Sequence, residues 1–206
     1  MFKKLYLTIL VIALFVGLIG FTTGCQPKEQ EANEIKIGGV GPISGDAETF
    51  GISTRNGENL AVEEWNAKGG VLGKEIKLIF RDDKGDPAEA ATVWTKLIDQ
   101  DKVVAIVGTA MSKCSLAAAP ICQAKKIPMI APASTNPMVT DCGDYIFRAC
   151  FIDPFQGIVG ANFAYYDLGV RKAGVIFDIG NDYTKGLSEF FRDQFINLGG
   201  KIVGFE

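Results

Sequence analysis

Short apolar stretches alternate with longer amphipathic patterns along most of this chain, and this alternation constrains its fold more than any other feature. The apolar stretches are rich in aliphatic and β-branched residues, as strands are, and the intervening patterns have the period of helices. Strands are predicted at residues 35–40, 75–80, 103–107, 127–131, 145–149, 173–177 and 202–206. Strands that alternate with helices at this spacing form βαβ units with a mostly parallel sheet. The sequence therefore predicts an α/β fold.

The helix boundaries are marked by capping residues and glycine pairs. Asp86, Pro87 and Glu89 supply an N-cap, a first-turn proline and a capping-box acid in register, which predicts the start of a helix. Its apolar stripe is predicted to consist of Ala90, Trp94, Leu97 and Ile98. The strand that follows, 103–107, is almost continuously hydrophobic, so we expect it to be buried on both faces. A shorter helix is predicted at 115–124, loosened by Pro120.

The N-terminus has the order of an export signal. Lys3 and Lys4 precede an apolar stretch at 5–21, and small residues lead from there to Cys25. The alternative is a membrane-spanning anchor, which needs about 20 apolar residues, slightly more than this stretch provides. The segment resembles a bacterial lipobox with Thr22 in place of the usual leucine, which implies cleavage before Cys25 and lipid attachment to its thiol. We expect a signal peptide at 1–24 and a solvated tether at 25–34.

The residue content argues against several functional classes. The chain contains no histidine, so Ser-His and Cys-His nucleophile pairs are impossible and the prediction is a binding protein rather than an enzyme. A net charge of -3 without a basic run after Lys4 indicates no nucleic-acid partner. No cofactor is predicted. The acids Asp82, Asp83 and Asp86 have the type of side chain that binds cations, but the helix cap explains Asp86, so no metal site is predicted.

No catalytic or metal-binding role is predicted for the cysteines. Cys114 and Cys122 are too far apart for a disulfide if they share one helix, since eight residues rise about 12 Å. A bridge between Cys142 and Cys150 is open, because export permits disulfides. Buried free thiols are the simplest expectation for all four.

Six segments of the chain resemble the Leu/Ile/Val-binding family. They are IKIGGVGPISG, AKGG, DDKGDP, VG, IAPASTNP and FR, at residues 35–45, 67–70, 82–87, 107–108, 130–137 and 147–148. The resemblance implies a type I periplasmic binding protein fold, in which each of two lobes has a mostly parallel sheet flanked by helices and the lobes close on a ligand by hinge motion. It implies an N-terminal lobe at 35–149 and the start of a second lobe at 150–206. Family members are much longer, so we expect an incomplete second lobe in a C-terminally truncated fragment.

Polar loops follow three predicted strands, at 109–115, 133–136 and 178–185. Ligands of open parallel sheets lie beyond the carboxyl ends of the strands, so these loops should face one cleft. Ser112 precedes a helix, where a hydroxyl and free N–H groups suit a carboxylate, and the resemblance also implies a carboxylate contact there. The alternative is that Ser112 or Ser115 merely caps the helix.

The resemblance implies five further ligand-binding residues. The Thr135 hydroxyl would meet both the carboxylate and the ammonium group of an amino acid, and the Ala133 carbonyl would accept from the ammonium group. Ser134 is a weaker candidate. Tyr183 would close over the ligand from the second lobe, and Phe50 would form an apolar wall. A structural turn at Thr135 and ordinary packing of Tyr183 are the alternatives.

These observations predict a solute-binding protein of an ABC importer. It would bind a branched-chain or similar small amino acid outside the membrane and present it to the permease subunits. The lipid on Cys25 would anchor it to the outer face of the cytoplasmic membrane, or it would lie in the periplasm. A sensory ectodomain of the same fold, coupled to signalling, is the alternative.

Overall fold

The computed structural model describes residues 33–206, of which Glu34–Glu206 form one compact unit. The predicted signal peptide, the predicted lipid attachment site Cys25 and most of the predicted tether lie outside the described residues.

Strands and helices alternate through the described chain as the sequence predicts. The strands are β1 Glu34–Gly41, β2 Glu75–Asp82, β3 Ala105–Val107, β4 Met129–Ala131, β5 Ile146–Arg148, β6 Lys172–Val175 and β7 Lys201–Phe205. The helices are α1 Glu48–Ala67, α2 Pro87–Asp99, α3 Ser112–Lys125, α4 Met138–Asp141, α5 Asp153–Asn162 and α6 Asp182–Asn197, and a π-helical turn, Phe163–Asp167, follows α5.

The strands form two separate sheets. The first has the order β2-β1-β3-β4-β5, and every neighbouring pair in it is parallel. The second consists of β6 and β7, also parallel. The predicted α/β class with mostly parallel sheets is therefore confirmed. The second sheet has only these two strands among the described residues.

The core of the first lobe lies between one face of its sheet and helices α2 and α3. The predicted stripe of α2 is confirmed, since Ala90, Trp94, Leu97 and Ile98 are all buried. The predicted cap is also present, because the Asp86 carboxylate accepts hydrogen bonds from the N–H groups of Ala88 and Glu89, each at 2.9 Å. The reciprocal half of a capping box does not form, because the Asp86 N–H donates to the carbonyl of Asp83 instead.

The prediction that residues 103–107 are buried on both faces is wrong. Only Ala105–Val107 form the strand, and Val104 is 54% exposed. Helix α1 packs on the face opposite α2 and α3, where it covers β1 and β2. In the described chain, β4 and β5 are left uncovered on that face. In-register residues Val107, Ile130 and Phe147 lie on that face, and Ile130 and Phe147 are exposed.

Helix α3 starts three residues before its predicted beginning and continues through Pro120. The first turn therefore brings Ser112 into the helix, directly after the loop that follows β3. Cys114 and Cys122 both lie on this helix, and they and the two cysteines Cys142 and Cys150 are free thiols in the described chain.

The second lobe contains the packed pair of helices α5 and α6 beside β6 and β7. Gly157 allows α5 to approach α6 closely, since a Cβ at this position would lie 2.6 Å from Cβ of Phe190. Five large apolar residues of α5 and of the π-helical turn after it are exposed: Phe155, Ile158, Val159, Phe163 and Tyr166.

Candidate functional site

A cavity of about 420 Å³ lies where the loops of the two lobes meet. From the first lobe it is lined by Phe50, Ala110, Met111, Ser112, Ala133 and Thr135, and from the second by Phe151, Gln156, Asn181, Tyr183 and Thr184. Most of these residues follow the carboxyl ends of β3, β4 and β6, where parallel sheets of this kind bind their ligands. The volume is in the range of small-molecule sites.

The structure brings five of the six predicted ligand-binding residues to this cavity: Phe50, Ser112, Ala133, Thr135 and Tyr183. Their convergence joins positions up to 133 residues apart in the sequence. Their contact with a ligand stays a prediction.

Ser134 is the predicted residue that does not line the cavity. Its side chain is completely buried, and its hydroxyl donates to the carbonyl of Thr109 at 2.8 Å and lies 2.7 Å from the hydroxyl of Ser115. These bonds join the loop after β4 to the loop after β3. Ser134 therefore connects two segments that line the cavity, and its own side chain is not part of the cavity wall.

The N-terminus of α3 faces the cavity through Ser112. Met111 occupies the N-cap position and makes no side-chain cap, so neither Ser112 nor Ser115 caps the helix. The Ser112 hydroxyl instead accepts a hydrogen bond from the N–H of Asn136 at 3.3 Å. The first N–H groups of a helix lack partners within the helix and favour a negative charge. This end of the cavity is therefore suited to an anionic group.

Two hydrogen bonds connect the loop of residues 133–137 to helices of the second lobe. The Asp153 N–H donates to the carbonyl of Thr135 at 3.0 Å, and the side-chain amide of Asn136 donates to the carbonyl of Asp182 at 3.1 Å. The loop that contributes Ala133 and Thr135 to the cavity is thus bonded to the starts of both α5 and α6.

Tyr183 contributes to the cavity from the first turn of α6. Its N–H donates to the side chain of Asn181, the N-cap of this helix, at 3.1 Å. Its hydroxyl lies 3.1 Å from Nε2 of Gln156 on α5. The hydrogen bond to Gln156 holds the phenol ring at the cavity rather than against the core.

Sequence reasoning did not single out Gln156, Phe151, Asn181, Thr184 or Met111. Asn181 and Thr184 lie within the predicted polar loop 178–185, and Met111 within the loop 109–115, so their signal was the position after a strand. Gln156 and Phe151 had no such signal, because Phe151 follows the predicted strand 145–149 in a segment that is not a polar loop and Gln156 lies within helix α5.

The described residues that line the cavity include no charged side chain. One buried acid, Asp153, lies at the start of α5 beside the Thr135 hydroxyl. Burial raises the pKa of Asp153, although the adjacent Thr135 hydroxyl and the charge of Arg148 act to lower it. The cavity thus offers hydroxyls, amides and peptide groups to a ligand.

A second groove, of about 480 Å³, lies between α1 and the open face of the first sheet. Its walls are almost entirely apolar, and the one acid beside it, Glu58, has carboxyl oxygens buried beneath the groove surface. Binding sites for small polar molecules combine apolar walls with a few converging polar groups. The cavity between the lobes has this combination, and the groove does not.

Residues 33–206 contain neither a cluster suited to a metal ion nor a helix suited to a membrane span. No three histidine, cysteine or acidic side chains of this part of the chain lie close enough together to hold a metal ion. No helix described here has the length and apolar character needed to cross a membrane.

Comparisons with known proteins agree with the fold. An amino acid binding protein of Pseudomonas aeruginosa is 37% identical over 174 residues, which cover 84% of this chain and 46% of the relative. The crystal structure of a leucine binding protein from Thermotoga maritima superposes with a TM-score of 0.79 at 43% identity, covering 84% of this chain and 49% of that one. A branched-chain amino acid transporter substrate binding protein from Streptococcus pneumoniae, solved with isoleucine, gives the same TM-score and coverage at 38% identity.

The chain spans about half the length of the relatives that it matches. The family match itself extends over residues 34–206, which is almost the whole of the described chain. With its parallel sheets, its paired lobes and this extent of sequence agreement, the chain belongs to the family described as periplasmic binding protein.

Proposed function

We propose that this chain is the ligand-binding part of an exported solute receptor of an ABC importer, and that a small amino acid with an apolar side chain binds in the cavity between its lobes. The observation that carries the proposal is the convergence of Ser112, Thr135 and Tyr183 from both lobes on one cavity. A site that takes residues from two lobes is completed when the lobes close on a ligand.

The chemistry of the cavity supports a ligand with a carboxylate and no net charge. The carboxylate would lie at the N-terminus of α3, beside the Ser112 hydroxyl, where helix N–H groups and the helix dipole favour an anion. The ammonium group would donate to the carbonyl of Ala133 and the hydroxyl of Thr135. A cationic side chain would find no acid among the described lining residues.

The apolar part of the ligand would contact Phe50, Met111 and Phe151. Phe50 and Phe151 are 60% and 55% exposed, so a ligand between them would remove aromatic surface from water. Burial of such surface contributes about 25 cal/mol per Å². These walls favour leucine, isoleucine, valine and similar residues over small polar amino acids.

The relatives named above support a role in import, and this role implies permease subunits as partners. The family also implies a location outside the cytoplasm. The N-terminal segment supports export and a lipid on Cys25, which would anchor the receptor to the outer face of the cytoplasmic membrane. Mass spectrometry of the cell-derived protein would detect the diacylglyceryl group, and Cys25→Ala would release the protein from the membrane fraction.

Calorimetric titration of the full chain with the twenty amino acids, short amides and aromatic acids tests the ligand. The expected result is saturable binding of leucine, isoleucine or valine, with no binding of lysine or arginine. Thr135→Val serves as the site variant and Thr95→Val, on the exposed face of α2, as its matched control. Failure of every amino acid and carboxylic acid to bind would contradict the proposed function.

A further inference from the structure

Arg148, at the end of β5, donates hydrogen bonds to the loop of residues 133–137. Its Nη1 donates to the carbonyls of Ser134 at 2.9 Å and Asn136 at 2.8 Å. Its Nη2 donates to the carbonyl of Pro137 at 2.9 Å and the hydroxyl of Thr140 at 2.6 Å. One guanidinium group thus binds three carbonyls of the loop that contributes Ala133 and Thr135 to the cavity, and one hydroxyl of helix α4.

Two other arginines of the described chain are paired with acids instead. Arg81 is paired with Asp101 at 2.6 Å and Arg192 with Asp193 at 2.8 Å. Arg148 is half-buried, and among the described residues it forms no ion pair, so its charge is directed at carbonyl oxygens. Hydrogen bonds from a charged donor are roughly twice as strong as those between neutral groups.

The three peptide groups whose carbonyls accept from Arg148 differ in whether they have a free N–H group on the side opposite the carbonyl. A peptide is planar and trans, so its N–H points away from its C=O. The peptide of the Asn136 carbonyl has no N–H, because Pro137 follows it. The N–H on the Pro137 peptide belongs to Met138 and donates to the side chain of Asn136 at 2.9 Å.

Only the peptide between Ser134 and Thr135 leaves an N–H available. No acceptor within residues 33–206 meets the N–H of Thr135, and Thr135 itself lines the cavity. A charged donor at the Ser134 oxygen polarises this peptide and strengthens its N–H as a donor, since linked hydrogen bonds reinforce one another.

We propose that Arg148 is a positioning residue for the ligand carboxylate: it orients and polarises the Ser134–Thr135 peptide so that the Thr135 N–H donates to that carboxylate. The inference rests on the proposed function, because it requires a ligand with a carboxylate in the cavity. Arg148 acts through the peptide and makes no contact with the ligand.

The test compares L-leucine with L-leucinol, which lacks the carboxylate, in calorimetric titrations of the full chain. Arg148→Met should weaken leucine binding about tenfold, the equivalent of one charge-assisted hydrogen bond, and should leave leucinol binding within about threefold. Arg148→Lys, which keeps the charge but loses the fork of donors, should lie between wild type and Arg148→Met. Arg81→Met, which removes a guanidinium far from the cavity, should change neither affinity.

Two results would overturn the proposal. One is unchanged leucine affinity in Arg148→Met. The other is an equal loss for leucine and leucinol, which would mean that the loop is merely disordered. Thermal unfolding of each variant establishes that the proteins compared are folded.

A ligand-free measurement separates this proposal from the proposed function. Hydrogen exchange of the Thr135 amide, followed by NMR, should be faster in Arg148→Met than in wild type because the peptide is no longer held. If wild type binds neither leucine nor any other carboxylate, the proposed function is wrong. The amide measurement then decides whether Arg148 orients the peptide, and equal exchange rates would refute it.

Discussion

The carboxyl group of Glu58 lies against Gly39, in the space that the Cβ of any larger residue at position 39 would occupy. Glu58 projects from α1 and Gly39 lies in the middle of β1, so the glycine allows the helix to bring a carboxyl group onto the sheet. No hydrogen-bond donor meets either Glu58 oxygen among the described residues. An acid in such surroundings is more stable in its neutral form.

The first prediction concerns the dependence of stability on pH. Burial raises the pKa of Glu58 to about 8 from an ordinary value of 4.5, so the folded protein binds a proton that the unfolded chain releases between these values. The free energy of unfolding should therefore fall as the pH rises from about 4.5 to about 8 and then level off, by up to a few kcal/mol.

Urea unfolding of wild type and Glu58→Gln across this pH range measures the effect. The glutamine variant keeps the shape without the ionisation, and the buried acids Asp83 and Asp153 titrate in both proteins. The difference in unfolding free energy between the two proteins isolates Glu58. Parallel pH profiles would show that Glu58 is ionised and solvated in the folded state.

The second prediction is that Gly39→Ala destabilises the protein by about 1–3 kcal/mol, the usual cost of an overpacked core. Its methyl group would collide with the Glu58 carboxyl and with the ring of Phe80. Glu58→Ala should recover part of this loss in the double variant, since neighbouring substitutions couple. Gly174→Ala, in β6, is the matched control because a Cβ there meets nothing within 4 Å, and it should have little effect.

The third prediction concerns the start of α2. Asp86→Ala should lower the free energy of unfolding by about 1 kcal/mol, because the Asp86 carboxylate is the acceptor for the N–H groups of Ala88 and Glu89. Asp86→Asn keeps an acceptor and should cost less. Chemical denaturation of both variants measures the difference, and equal stability of Asp86→Ala and wild type would mean that water satisfies these groups as well.

The sequence predicted those features that depend on local signals. Asp86, Pro87 and the stripe of α2 all lie within one stretch of chain, so capping and periodicity suffice to locate the helix. The start of α3 was missed because Met111 is not a capping residue. The short extent of β3 was missed because a hydrophobic run does not reveal how much of it is covered by other elements.

The candidate site was predicted less completely, because some of its features depend on contacts between residues far apart in the sequence. The sequence could predict Ser112, Thr135 and Tyr183, because they follow strand ends and because the family resemblance implies a ligand contact for each. Whether Ser134 faces the cavity depends on its bonds to Thr109 and Ser115, 25 and 19 residues away. No local pattern encodes these contacts, nor does one indicate that Glu58, an acidic residue on a helix, is buried.

The fourth prediction separates the side chain of Thr135 from its backbone. Thr135→Val keeps the shape and the N–H but removes the hydroxyl, which we propose accepts from the ligand ammonium group. Loss of one hydrogen bond to a charged partner costs about 1.5–3 kcal/mol, so leucine should bind at least about tenfold more weakly. Thr135→Ser retains the hydroxyl and should bind within a few-fold of wild type.

The control for this prediction is Thr95→Val on α2. The Thr95 hydroxyl donates to the carbonyl of Ala91 at 2.8 Å on an exposed helix surface, so its removal changes the same chemical group without touching the cavity. Calorimetric titration with leucine compares the four proteins. Equal affinities of Thr135→Val and wild type would place the ammonium group elsewhere, whereas a loss shared by Thr95→Val would indicate a general effect on folding. A loss confined to position 135 would show that the loop after β4 contacts the ligand through the Thr135 hydroxyl, whereas the contact through the Ser134–Thr135 peptide is tested by Arg148→Met.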